Sequence, residues 1–140
     1  MSTHPCLPLS RRHLLAAGGA GLGALALAGC GGGEDVPRLT GVASGDALVA
    51  LAELPLEGGY LVELDGRRVV ITQPAAGTVA AFDATCPHAG CTVRPTDDGL
   101  GCPCHGSAFD PATGDVLQGP ATSPLTPVGV AVRGDDVVLA

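Results

Sequence analysis

Cys86-Pro87-His88-Ala89-Gly90-Cys91 and Cys102-Pro103-Cys104-His105-Gly106-Ser107 are two short, similar boxes on either side of a turn-rich stretch. The first offers Cys-x-His and the second Cys-x-x-His, and each carries one further cysteine. Four of the six cysteines and two of the four histidines of the 140-residue chain stand in these boxes. Thiolate and imidazole at such close spacing point to a metal centre. A tetrahedral zinc takes four ligands, and two cysteines with two histidines satisfy it. Six candidates are crowded here, so zinc leaves a cysteine pair unexplained. A two-iron, two-sulfide cluster accommodates the pattern better, since two irons divide the ligands and the remaining cysteines are free to pair.

Cys-x-His-x-Gly-Cys followed by Cys-Pro-Cys-His-Gly-Ser resembles the Rieske iron–sulfur proteins. More narrowly it resembles the disulfide-containing branch of cytochrome bc-type complexes and arsenite oxidase small subunits. Ferredoxins of the ring-hydroxylating dioxygenase type lack the second cysteine of each box. The resemblance implies one 2Fe-2S cluster, with Cys86 and Cys102 on one iron and His88 and His105 on the other. It implies a disulfide between Cys91 and Cys104. It also implies that Ser107 donates its hydroxyl to a cluster sulfur, and that Gly119-Pro120 belongs to a proline loop beside the cluster. Two positions after the serine, bc-type relatives commonly carry a tyrosine that bonds a cysteine sulfur, and this chain has Phe109. That departure argues against the highest-potential, quinol-oxidising role.

The ligand set has its own logic. Two thiolates bring the oxidised two-iron core close to neutral, where four would leave an anion. An electron enters a neutral centre more readily, so histidine ligation raises the reduction potential. The function implied is one-electron transfer. The free ring nitrogens of two coordinated histidines would also link electron to proton uptake. No open metal position or acid/base pair marks the chain as catalytic by itself.

Outward from the boxes, Gly and Pro are abundant at 22 and 12 residues, and aromatics are 2% of the chain. Such a chain makes many turns and short strands around a Val/Leu/Ile/Ala core. Strands are expected at Leu48 to Leu54, Tyr60 to Leu64, Arg68 to Gln73, Thr78 to Asp83, Asp115 to Leu117, Val128 to Val132 and Asp136 to Leu139. Asp65-Gly66 is a hairpin signal, Asp97-Asp98-Gly99 is the tip of a hairpin joining the boxes, and Gly134-Asp135 is the last turn. The fold class is all-β, a sandwich or barrel. The Rieske resemblance makes it a base domain over 46–140, with an inserted cluster-binding subdomain at about 84–120.

The N-terminus reads as a signal over 1–29. Ser10-Arg11-Arg12-His13-Leu14-Leu15 resembles a twin-arginine export signal, and Leu27-Ala28-Gly29-Cys30 resembles a lipobox in which Cys30 is lipidated. The alternative is an N-terminal transmembrane anchor. Twin-arginine export carries folded proteins, which suits a cluster loaded in the cytoplasm and a disulfide kept in an oxidising compartment. Residues 30–45, beginning with Gly31-Gly32-Gly33, read as a flexible tether. The chain is acidic, with a formal net charge of -7. Beyond residue 30, five arginines face fourteen acidic residues. A basic patch is missing, which argues against nucleic acid. The expected protein is an electron carrier lipid-anchored to the extracytoplasmic face of the cytoplasmic membrane. Its partner is a redox protein or quinol. One alternative is the small subunit of a quinol-oxidising or molybdenum-dependent oxidoreductase; another is a zinc-stabilised lipoprotein.

Overall fold

The computed structural model describes residues 35–140. The twin-arginine pair, the apolar run and Cys30 lie outside the described residues. Strands β1 (Arg38–Leu39), β2 (Ala47–Ala50), β3 (Gly59–Leu64), β4 (Arg67–Ala75), β5 (Thr78–Asp83), β6 (Arg94–Thr96), β7 (Gly99–Gly101), β8 (Ala108–Phe109), β9 (Val116–Gln118), β10 (Val130–Arg133) and β11 (Asp136–Leu139) make three sheets. Their orders are β1-β3-β4-β5, β10-β11-β2 and β6-β7-β8-β9. Among the described residues no helix is long and apolar enough to cross a membrane.

Strand β4 sits at the centre of this arrangement. Its Val69-Val70-Ile71-Thr72 run is buried on both faces, and side chains alternate between those faces. Val69 and Ile71 join Leu48, Leu54, Val62 and Val137 under the β10-β11-β2 sheet. Val70 points the other way, into a second core with Phe82, Val93, Leu100, Phe109, Leu125 and both Cys86 and Cys102. Neighbouring strand β5 divides likewise, Ala81 to the first core and Phe82 to the second. One sheet therefore serves as floor for a base domain and for the subdomain that carries the two boxes.

Local chemistry sets the connections. Asp65 and Gly66 both have positive φ, at 47° and 84°, the conformation a two-residue hairpin loop with right-handed strand twist requires. The Asp65 carboxylate then accepts the Gly41 N–H at 2.7 Å. Gly114 closes the subdomain onto the floor. Its φ is 77°, and a Cβ there would stand 2.7 Å from Phe82 Cε1, so only glycine fits.

One expectation is corrected. The apolar stretch to Leu54 is not one strand: β2 ends at Ala50 and Leu51–Glu53 form a 3-10 turn. That turn swings Leu54 inward, where it is 2% exposed, ahead of Pro55. Within the span read as a tether, Arg38 and Leu39 pair in parallel with Glu63 and Leu64 of β3. An Arg38–Glu63 ion pair at 3.4 Å lies on the same register.

Candidate metal centre

The two boxes fold as near-copies of one loop. In the first, Cys86 N–H donates to Cys91 O at 2.8 Å and Gly90 N–H to Cys86 O at 2.9 Å. In the second, Cys102 N–H donates to Ser107 O at 2.8 Å and Gly106 N–H to Cys102 O at 3.0 Å. Gly90 and Gly106 take the same left-handed turn, with φ of 75° and 80°. The Thr85–Thr92 bridge closes the base of one loop, and the Gly101–Ala108 pair of β7 and β8 closes the other.

This repeat places equivalent backbone positions with different side chains. The position two after the leading cysteine is His88 in one loop and Cys104 in the other. The position five after it is Cys91 in one and Ser107 in the other. Cys91 and Cys104 are joined in a disulfide with Cα atoms 6.4 Å apart, as the family resemblance implied. The disulfide lashes the loops together, and the His88 and His105 rings meet edge to face with centroids 4.8 Å apart.

Burial separates the four remaining donors. Cys86 and Cys102 are free thiols at 2% and 3% exposure, inside the second core. His88 and His105 are exposed. The sulfurs of Cys91, Cys102 and Cys104 lie within 4.8 Å of one another, but the disulfide removes two of them as thiolate ligands. The free thiols of the two loops are thus buried and their imidazoles exposed.

The surroundings pin each loop differently. Arg68 of β4 donates from Nη1 to Thr92 Oγ1 at 2.7 Å, next to Cys91. Ser107 is 1% exposed, and its Oγ accepts the Ala121 N–H at 3.0 Å. Ala121 directly follows Gly119-Pro120, whose peptide is cis, so the expected proline loop is held against the second box. Gln118 Nε2 donates to Gly106 O at 2.8 Å. Sequence reasoning missed Arg68 and Gln118, since both reach the loops from distant positions. Phe109 is fully buried beside Cys86 and Cys102. A cleft of about 420 Å³ flanks the second loop, lined by Arg94, Thr96, Leu100, Cys102, Pro103 and Ser107 among others.

A Rieske [2Fe-2S] domain matches residues 47–133, from β2 to the end of β10. This chain belongs to the Rieske family. A cytochrome b6-f complex iron-sulfur subunit 2 from Nostoc sp. is 50% identical over 89 residues, 61% of this chain and 49% of that protein. The Rieske 2Fe-2S iron-sulfur protein YhfW of Bacillus subtilis is 42% identical over 69 residues, 48% of this chain and 13% of that one. The chain spans less than half the length of these two curated relatives. Among solved structures, the plasma membrane Rieske protein PetC3 from Synechocystis PCC 6803 superposes with a TM-score of 0.60 at 30% identity. That match covers 68% of this chain and 98% of that one. The cofactor of this Rieske domain is one 2Fe-2S cluster. The donor chemistry fits it: two buried thiols and two exposed imidazoles stand in the two loops, with the leftover cysteines already paired. The zinc alternative falls with the family assignment.

Proposed function

We propose that this Rieske protein transfers single electrons, and that Cys86, Cys102, His88 and His105 are the cluster ligands. A Rieske centre supplies a one-electron couple at about −150 to +300 mV, well above plant-type ferredoxins. The chain's own residues do the rest. Cys86 and Cys102 hold the inner side in an apolar core, where water is excluded. His88 and His105 hold the outer side, and their exposure on uncharged loop tips is the observation that carries the proposal. Any partner must approach through those two rings, so the histidine side is the port for electron exchange. Pro87, Ala89, Gly90, Pro103 and Gly106 around them are small and uncharged, which lets a partner surface come close.

Finer statements belong to the same reading. The protein works on the outer side of the cytoplasmic membrane, held by a lipid on Cys30 after twin-arginine export through Arg11 and Arg12. Its partner is a redox protein. A second reading, a subunit of a quinol-oxidising complex, is favoured by the Nostoc relative named as a cytochrome b6-f subunit. Phe109 in place of a hydroxyl-bearing ring weighs against it.

Single alanine variants at Cys86, His88, Cys102 and His105 test the ligand set. Each should abolish iron and sulfide retention and the EPR signal of the reduced protein. A variant among them that keeps the full signal removes that residue from the set. Mild membrane extraction followed by identification of co-purifying chains separates a lone carrier from a complex subunit.

A further inference from the structure

Beyond the disulfide that joins them, the two loops are held by different contacts. Five positions after its leading cysteine, the first loop carries Cys91, whose disulfide to Cys104 ties both loops covalently. The corresponding position in the second loop is Ser107, which has only the Ala121 N–H on its Oγ. One residue earlier, Gly106 is gripped at both ends. Its N–H bonds Cys102 O, and its carbonyl accepts from Gln118 Nε2. A Cβ built on Gly106 would lie 3.8 Å from that same Nε2, so the amide rests directly against the left-handed glycine. Gln118 itself is placed by strand pairing, opposite Ala108 at the junction of β8 and β9.

Gln118 and Ala121 therefore straddle Gly119-Pro120 and clamp Gly106 and Ser107, the two residues that follow His105. We propose that Gln118 is a positioning residue for the metal centre: its side-chain amide fixes the His105–Ser107 segment that follows the disulfide-bonded Cys104. The inference rests on the reading of His105 as a ligand. The amide is exposed, so water competes for the Gly106 carbonyl and the clamp stabilises by the modest net amount of a single hydrogen bond.

The test uses the cluster-loaded protein and three variants: Gln118→Ala, which removes the donor; Gln118→Glu, which offers only acceptors when ionised; and Gln118→Lys, which restores a donor. Hydrogen–deuterium exchange of the peptide spanning Gly119 to Leu125, read by mass spectrometry, should quicken about three- to tenfold in Gln118→Ala and Gln118→Glu. In both, the EPR lines of the reduced protein should broaden as His105 samples several orientations. The midpoint of Gln118→Ala should fall, by less than the 59 mV that marks a tenfold change in a one-electron equilibrium. Gln118→Lys should recover narrow lines and slow exchange. Unchanged exchange in Gln118→Ala overturns the clamp. Faster exchange with unaltered lines and midpoint reduces Gln118 to a structural residue and overturns its role at the centre. Failure of the underlying reading looks different: His105→Ala would then keep the wild-type signal, and the proposal would fall with it.

Discussion

Ser107→Ala perturbs one oxygen atom and should be felt in two ways. The first is stability. Ser107 is 1% and Ala121 5% exposed, and the Ala121 N–H donates to Ser107 Oγ at 3.0 Å. Alanine leaves that N–H buried without an acceptor, at a cost of about 1–3 kcal/mol. For a domain near 100 residues each kcal/mol lowers Tm by about 4–8 °C. A fall of at least about 4 °C is therefore expected. The second effect is redox. Because Oγ accepts from Ala121, the hydroxyl proton stays available to the site beside Cys102. A donated hydrogen bond stabilises the reduced, more electron-rich state more than the oxidised one. Such bonds to charged acceptors are worth about 1.5–3 kcal/mol, and only the difference between redox states counts. The midpoint should fall by several tens of millivolts for a one-electron couple. Protein-film voltammetry and thermal unfolding of wild type, Ser107→Ala and Ser107→Thr separate the effects, since threonine keeps the hydroxyl. An unchanged midpoint in Ser107→Ala refutes the donor role. A lowered midpoint with unchanged Tm refutes the claim that the Ala121 N–H is orphaned.

Replacing both Cys91 and Cys104 with alanine frees a loop of sequence separation 13 and should cost about 3 kcal/mol by chain entropy; urea unfolding that shows under about 1 kcal/mol contradicts it. Gly114→Ala drives a methyl into the Phe82 ring at a left-handed position, and overpacking of this kind costs about 1–3 kcal/mol, read as a lower urea midpoint. Arg11→Lys with Arg12→Lys should hold a cluster-loaded precursor inside the cell, and Cys30→Ala should block lipidation, both read by fractionation and mass spectrometry of the N-terminus. Efficient export of the double lysine variant argues against the twin-arginine route.

Sequence legibility followed the range of the interactions. Thr78–Asp83 and Asp136–Leu139 match the expected strands residue for residue, because apolar composition and flanking turns are local. Asp65-Gly66 was readable for the same reason, since both residues supply the positive φ the turn needs. The metal boxes were legible because ligand chemistry restricts residue type and spacing together. Strands β1 and β8 were not: each has two residues, too few to show a period, and each exists through its partner. Leu51–Glu53 read as strand because its apolar residues continue those of β2, while its turn is set by Leu54 entering the core. The grip of Arg68 on Thr92 and of Gln118 on Gly106 depends on contacts 24 and 12 positions apart, which no local pattern encodes.

In the proposed function, one centre joins two buried thiolates to two exposed imidazoles. Electron–nuclear spectroscopy of the reduced protein, with histidine labelled by nitrogen-15, tests it most directly. Two distinct strongly coupled histidine nitrogens should appear on one cluster signal, and the signal should vanish in both His88→Ala and His105→Ala. A reduced cluster signal with no strongly coupled histidine nitrogen, or with only one, would contradict the account.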